Sequence, residues 1–154
     1  MFKLKQFFVT TLIVSLVIVP CKTDNIEVID VENNVTDSPA ETAVLKLLNV
    51  TESDAGAVIY TYKCTVGTYQ SGRLACIANN NTSWNSPHDA ELKLRCPKVG
   101  SGVVLSYVEI LYSVTYPNVK CYVNEGAVGL RYIGVTVNAW NTLMFNYWAY
   151  FYTF

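Results

Sequence analysis

Residues Ala90–Cys96 read AELKLRC. Glu91, Lys93 and Arg95 fall on one parity, and Ala90, Leu92, Leu94 and Cys96 on the other. A β-strand sends successive side chains to opposite faces, so the stretch describes a strand with one wet side and one dry side. The same period extends in both directions. In AVIYTYKCTV (57–66), Val58, Tyr60, Tyr62, Cys64 and Val66 oppose Thr61, Lys63 and Thr65. In VVLSYVEILYSVT (103–115), Val104, Val108, Ile110, Tyr112 and Val114 oppose Glu109, Ser113 and Thr115. Further strands are expected around Gly72–Ala78, Val119–Val123, Val128–Asn138 and Leu143–Thr153, and the breaks carry Gly, Pro and Asn as turns do. About seven strands with no amphipathic helix among them predict an all-β domain over 57–154, a single antiparallel β-sandwich or small barrel.

The C-terminal segment, LMFNYWAYFYTF (143–154), is dense in aromatics. Leu143, Phe145, Tyr147, Ala149 and Phe151 share one parity; Met144, Asn146, Trp148, Tyr150 and Tyr152 share the other. Aromatics are strand formers, and the run is about half of what a bilayer-spanning helix needs. It is therefore expected to be a strand apolar on both faces, paired with GLRYIGVTV through a turn at Trp140–Thr142. Should its second face lie open, Trp148, Tyr150 and Tyr152 form an amphipathic strip suited to a partner.

The N-terminus has a different character. Lys3 and Lys5 precede an apolar run of 13 residues, Phe7–Val19, followed by Pro20 and Cys21. A basic start, a short apolar stretch and a break describe a secretory signal peptide over 1–21, and the run is too short to span a membrane. From Lys22 to Gly56 the chain holds eight acidic residues and two lysines, the composition of a flexible acidic leader. Within it, Ser38, Pro39 and Glu41 form a capping box that opens at most one short helix over SPAETAVLKLL.

Export sets the chemistry expected of the cysteines. With Cys21 at the processing site, Cys64, Cys76, Cys96 and Cys121 remain, an even number on core-facing parity, which in an oxidising compartment means a disulfide framework. Three connectivities are open; Cys64–Cys76 with Cys96–Cys121 is marginally preferred. Sequons begin at Asn34, Asn49, Asn80 and Asn81, and crowding allows one glycan between the adjoining Asn80 and Asn81. A glycan needs solvent, which places NNNTSWNSP on a surface loop.

Little in the chain suggests catalysis, and neither a catalytic residue nor a cofactor is assigned. The lone histidine, His88, adjoins Asp89, but sequence neighbours point apart. No nucleophile-elbow, phosphate-loop or metal-ligand spacing occurs, and no metal is expected. Seven basic against four acidic residues in the domain, scattered along it, make no phosphate track, so nucleic acid is not expected as a partner. Lys63, Lys93, Arg95 and Lys120 are expected to point outward, where the acidic leader could meet them. No membrane association is expected once the signal is removed.

The order of motifs carries one likeness. Ser71-Gly72-Arg73-Leu74, the strand Ser106-Tyr107-Val108-Glu109-Ile110, the turn Gly126-Ala127-Val128-Gly129 and the ending Tyr150-Phe151-Tyr152 resemble elements of the insect family named after multiprotein bridging factor two. The likeness covers roughly 57–154. It departs from the family pattern at Gly72, where an Asp is usual, at Ala127, and in the absence of glycine near Asn141–Leu143. The resemblance implies a compact secreted β-domain of the salivary or haemolymph type and transfers no catalytic residue. The family's founding member is a transcriptional coactivator, which supplies the alternative to the main expectation: a secreted, non-catalytic binding glycoprotein whose partner is an extracellular protein or small ligand. An enzyme is the least favoured of the three.

Overall fold

The structure, a computed structural model, describes residues 26–27 and 42–154. It is all-β. Seven strands follow in order: β1 (Ile26–Glu27), β2 (Val44–Glu52), β3 (Val58–Gly67), β4 (Arg73–Cys96), β5 (Leu105–Val114), β6 (Val119–Gly126) and β7 (Ile133–Thr153). They form one antiparallel sheet in the order β1-β4-β7-β5-β3-β2, with β6 also paired to β7.

Two strands are too long for one flat layer. β4 has 24 residues and β7 has 21. Extended at about 3.3 Å per residue, the 20-residue separation of Cys76 and Cys96 would span about 66 Å. Their Cα atoms lie 6.1 Å apart, so β4 doubles back and the sheet folds over with it. One layer holds β1, the second half of β4, the first half of β7, and β6. The other holds the first half of β4, the second half of β7, β5, β3 and β2. Strands that are paired must bend together, and these do. β4 loses register between Ser83 and Ala90, and opposite it Asn141 adopts a left-handed backbone with φ 59°.

Side chains secure that corner. Asp89 Oδ1 accepts the Asn141 N–H at 2.9 Å. Thr142, fully buried, accepts the Thr115 N–H at 3.0 Å and donates to the Met144 carbonyl at 2.6 Å, while Thr115 Oγ1 accepts the Leu143 N–H at 2.7 Å. Each bond satisfies a backbone group that the interrupted ladder leaves without a strand partner.

The core lies between the layers. Leu92, Leu94, Val123, Ile133, Val135 and Val137 meet Cys64, Val66, Ile110, Tyr112, Val114, Phe145 and Phe151 there. Tyr112 is sandwiched by Tyr62 at 5.6 Å and Phe145 at 5.7 Å between ring centroids. The parity read from AELKLRC holds: Leu92, Leu94 and Cys96 are buried, and Lys93 is exposed.

Several expectations are corrected. Val44–Leu48, assigned from its caps to a helix, lies in strand β2 paired with β3. A helix of about ten residues is marginal in water, whereas the open edge of β3 offers every second backbone group a bond. The first turn of that expected helix lies outside the described residues. Leader residues 26–27 also join the sheet, beside Leu92 and Glu91. The expected strands at 72–78 and 90–96 are the two halves of β4, and those at 128–138 and 143–153 are joined in β7. The C-terminal segment therefore does not pair with the residues before it; it lies between β4 and β5. NNNTSWNSP belongs to β4 rather than a loop, although Asn79, Asn80 and Asn81 are exposed.

The cysteines pair as Cys64–Cys121 and Cys76–Cys96, not in the marginally preferred arrangement. Each bridge ties one layer to the other. Neighbours in sequence order, which guided the expectation, lost to neighbours across the fold. Cys64 and Cys121 come together only because β6 packs over β3.

Candidate binding face

Each layer turns its second face outward, and the two faces differ. On the layer with β6, the outward side chains are polar and mutually engaged. Lys93 bridges Glu91 at 3.0 Å, Arg95 bridges Glu125 at 2.8 Å and lies over the Tyr132 ring, and Lys120 lies over Tyr122. With Lys63 bridging Glu109 at 2.6 Å, the outward cations expected to meet the leader find partners inside the domain.

The opposite face is aromatic. β7 lies between β4 and β5, so its second parity, Trp148, Tyr150 and Tyr152, occupies the middle of the outer surface. Directly opposed residues in an antiparallel pair share a face. Trp148 is flanked by Asn79 of β4 and Leu111 of β5, Tyr150 by Ile77 and Glu109, and Tyr152 by Leu74 and Tyr107. The Trp148 and Tyr150 rings are near-parallel, 12° apart in plane, with centroids separated by 6.4 Å. Trp148 is 50% exposed. Tyr69, from the connection between β3 and β4, stands edge-on to both Tyr107 and Tyr152 at 5.4 and 5.3 Å and is itself 57% exposed. Tyr107 and Tyr152 lie 5.9 Å apart.

Glu109 is the polar centre of this face. Its carboxylate accepts from Tyr107 Oη at 2.9 Å and pairs with Lys63. Burial pushes the Tyr107 phenol well above its usual range, and the hydrogen bond to Glu109 adds to the rise. Burial also raises Tyr152, with the Glu109 charge contributing. Both phenols therefore stay protonated through the physiological range, as donors rather than anions. Asn146, beside Trp148 on the same strand, donates from Nδ2 to Met144 Sδ at 3.5 Å, while its Oδ1 finds no partner among the described residues.

The three tail aromatics named from the sequence are thus brought together on an open face. Tyr69, Tyr107, Asn79, Lys63 and Glu109 were not grouped with them. Parity had already put Lys63 and Glu109 on outward faces, but only the register sets Glu109 beside Tyr150. Tyr69 gave no periodic signal at all, because it sits in a connection.

Of the sequons, Asn49 is exposed on the edge strand β2. Asn81 pairs with Asn146, on the parity of Trp148, whereas Asn80 pairs with Tyr147 on the opposite parity and accepts the Asn81 N–H at 2.8 Å. Asn34 lies outside the described residues. His88 stacks on Trp84 at 5.4 Å and its Nδ1 contacts the Ser86 carbonyl at 2.7 Å, within the bend of β4, while Asp89 is engaged by Asn141. Among the described residues, no group of three or more His, Cys, Asp or Glu could hold a metal ion. A cavity of about 230 Å³ beside the Cys76–Cys96 bridge is lined by Ala75, Pro97, Gly102, Val103 and Leu105 and offers no charged group. No family model, curated protein or solved structure matches this chain.

Proposed function

We propose that this chain is a secreted, non-catalytic binding glycoprotein that engages an extracellular partner through the aromatic face of β7. The observation that carries the reading is the placement of Trp148, Tyr150 and Tyr152 in the middle of an uncovered sheet face. Large amphipathic rings at such a place bury apolar area on contact while their polar ends find hydrogen bonds, which is why Trp and Tyr dominate binding surfaces. Two disulfides in a small domain suit an oxidising compartment, and the basic-then-apolar N-terminus and the exposed Asn49, Asn80 and Asn81 sequons agree with export.

The coactivator role suggested by the founding member of the family that the chain resembles would place both cysteine pairs in a reducing compartment, where bridges are rare. The two readings separate by intact mass. The full chain is expressed in insect cells, and protein from the medium is weighed before and after glycan removal and thiol alkylation. The expected result is a chain starting near Lys22 that loses mass on deglycosylation and takes up no alkylating agent at Cys64, Cys76, Cys96 or Cys121 until reduced. Retention in the cell from Met1 with free thiols would overturn it.

A further inference from the structure

Resting on the glycoprotein reading above, we infer that sugar on Asn49 caps the open edge of β2, and that the bare edge pairs with β2 of a second copy of this chain. Three observations carry this. First, β2 is the last strand of its layer, and among the described residues nothing pairs with its outer side. The outer side of an edge strand presents unpaired N–H and C=O groups, a template for another strand. The other open edges are short or polar. β1 has two residues, β4 before its bend carries exposed Asn79, Asn80 and Asn81, and β6 carries exposed Lys120, Asn124 and Glu125. β2 differs. All nine of its residues are exposed, Val44, Leu45, Leu47, Leu48 and Val50 among them, and it contains no proline. Its only charges are Lys46 and Glu52, and its one irregularity is a register shift between Leu47 and Asn49.

Second, the strand is complementary to itself. Directly opposed residues in an antiparallel pair share a face. Leu47 lies opposite Tyr62 and Val50 opposite Tyr60, so the shift leaves both on the parity of the core. Lys46, opposite Lys63, and Thr51, opposite Ile59, share the outer parity. Consider an antiparallel copy related by a two-fold axis, in the register that keeps these faces matched. It sets Leu47 against Val50 of the copy and Lys46 against Thr51 of the copy, and the same pairs recur in reverse. No like charges oppose, and a self-complementary contact of this kind closes as a dimer.

Third, the sequon stands beside the axis of that pairing. Asn49-Val50-Thr51 lies wholly within β2, with Asn49 on the outer parity opposite Thr61. Asn49 Oδ1 accepts the Val50 N–H at 2.9 Å, while Nδ2, the atom that takes sugar, makes no bond among the described residues. A glycosylated amide keeps its oxygen as an acceptor, so the strand holds this bond with the glycan attached. In the paired register the two Asn49 residues are diagonal neighbours within roughly 8 Å, and two glycans leaving the same face there collide. Covering an edge is one of the ways natural sheets prevent such pairing.

The test uses the full chain from insect-cell medium, as wild type, Asn49→Gln, Thr51→Val, Asn49→Gln with Leu47→Lys, and Asn80→Gln with Asn81→Gln. Each is checked for intact disulfides and a native-like circular dichroism spectrum. Peptide mapping places the sugars, and sedimentation velocity over a dilution series gives the mass in solution. The expected result is sugar on Asn49 of a monomeric wild-type chain. Asn49→Gln, and Thr51→Val, which loses the sequon but keeps Asn49, should reach about twice the monomer's protein mass at the concentrated end. Adding Leu47→Lys should return the monomer by placing a charge in the apolar contact, and loss of Asn80 and Asn81 should leave the chain monomeric. Monomeric Asn49→Gln and Thr51→Val overturn the inference. A dimer that survives Leu47→Lys also overturns it, as does a ladder of larger species, which no two-fold contact makes. Sugar on the secreted chain at other sites but not on Asn49 sinks this inference alone. A chain retained in the cell without sugar sinks the glycoprotein reading with it.

Discussion

At the scale of single residues, close approach and unmet hydrogen bonds decide more than residue type does. Gly72 shows why. A Cβ built there would lie 2.0 Å from the Thr153 carbonyl oxygen, a backbone atom that cannot swing aside without displacing the end of β7. Gly72→Ala is expected to destabilise the fold by about 1–3 kcal/mol, the usual cost of overpacking, read as a lower urea midpoint at unchanged slope. Tyr112 makes the opposite case. Its ring is buried between Tyr62 and Phe145, but its hydroxyl finds no partner among the described residues. Removing an unsatisfied buried hydroxyl while keeping the ring returns its desolvation cost. Tyr112→Phe should therefore leave stability unchanged or raise it by about 1 kcal/mol, and a loss of more than that in the same urea titration would reveal a bonded hydroxyl.

At the scale of elements, the two bent strands and the two bridges act together. β4 and β7 contribute to both layers, so the layers are covalently continuous, and the disulfides close the two layers from β3 to β6 and from end to end of β4. The bridges span sequence separations of 57 and 20 residues. If they act mainly by restricting the unfolded chain, removing Cys64–Cys121 should cost about 4 kcal/mol and removing Cys76–Cys96 about 3. Paired Cys→Ser variants, compared by denaturant unfolding, check both the size and the order. The edge strand β2 belongs to this scale as well. Its helix-forming composition is a local signal, yet pairing with β3 overrides it, because a strand edge satisfies backbone groups that a short isolated helix leaves to compete with water.

At the scale of the whole molecule, the tyrosines couple stability to pH. Tyr62, Tyr107, Tyr112 and Tyr152 all have phenols raised above the ordinary value of 10.0, with burial the largest cause in each. Unfolding exposes them, so above about pH 10 the unfolded chain releases protons that the folded chain retains. Fewer protons bound in the unfolded state means stability falls as pH rises. The contribution is fully present below that pH and is lost as the pH climbs toward the folded values. Unfolding free energies should thus show a plateau below about pH 9 and a decline beyond pH 10. Tyr112→Phe should make the decline shallower, since it removes one of the buried phenols. A flat profile to pH 11 would show that these rings are wetter than the fold implies.

What the sequence determined by itself rests on short-range physics. Alternation in 57–66, 90–96 and 103–115 told which side chains face inward, because a strand's period is set by its own backbone. The two-sided apolar tail described a last strand apolar on both faces, although not the neighbours it pairs with. Even cysteine numbers and core-facing parity anticipated bridges. Only the tertiary structure decided the rest. Which strands are neighbours, that four expected strands are the halves of β4 and β7, which cysteines meet, and that Tyr69 and Glu109 join Trp148, Tyr150 and Tyr152 all depend on register and on how the sheet folds over. Those are set by the summed packing of both layers around Tyr112 and Phe145, a many-body energy to which no single segment contributes enough to be read alone.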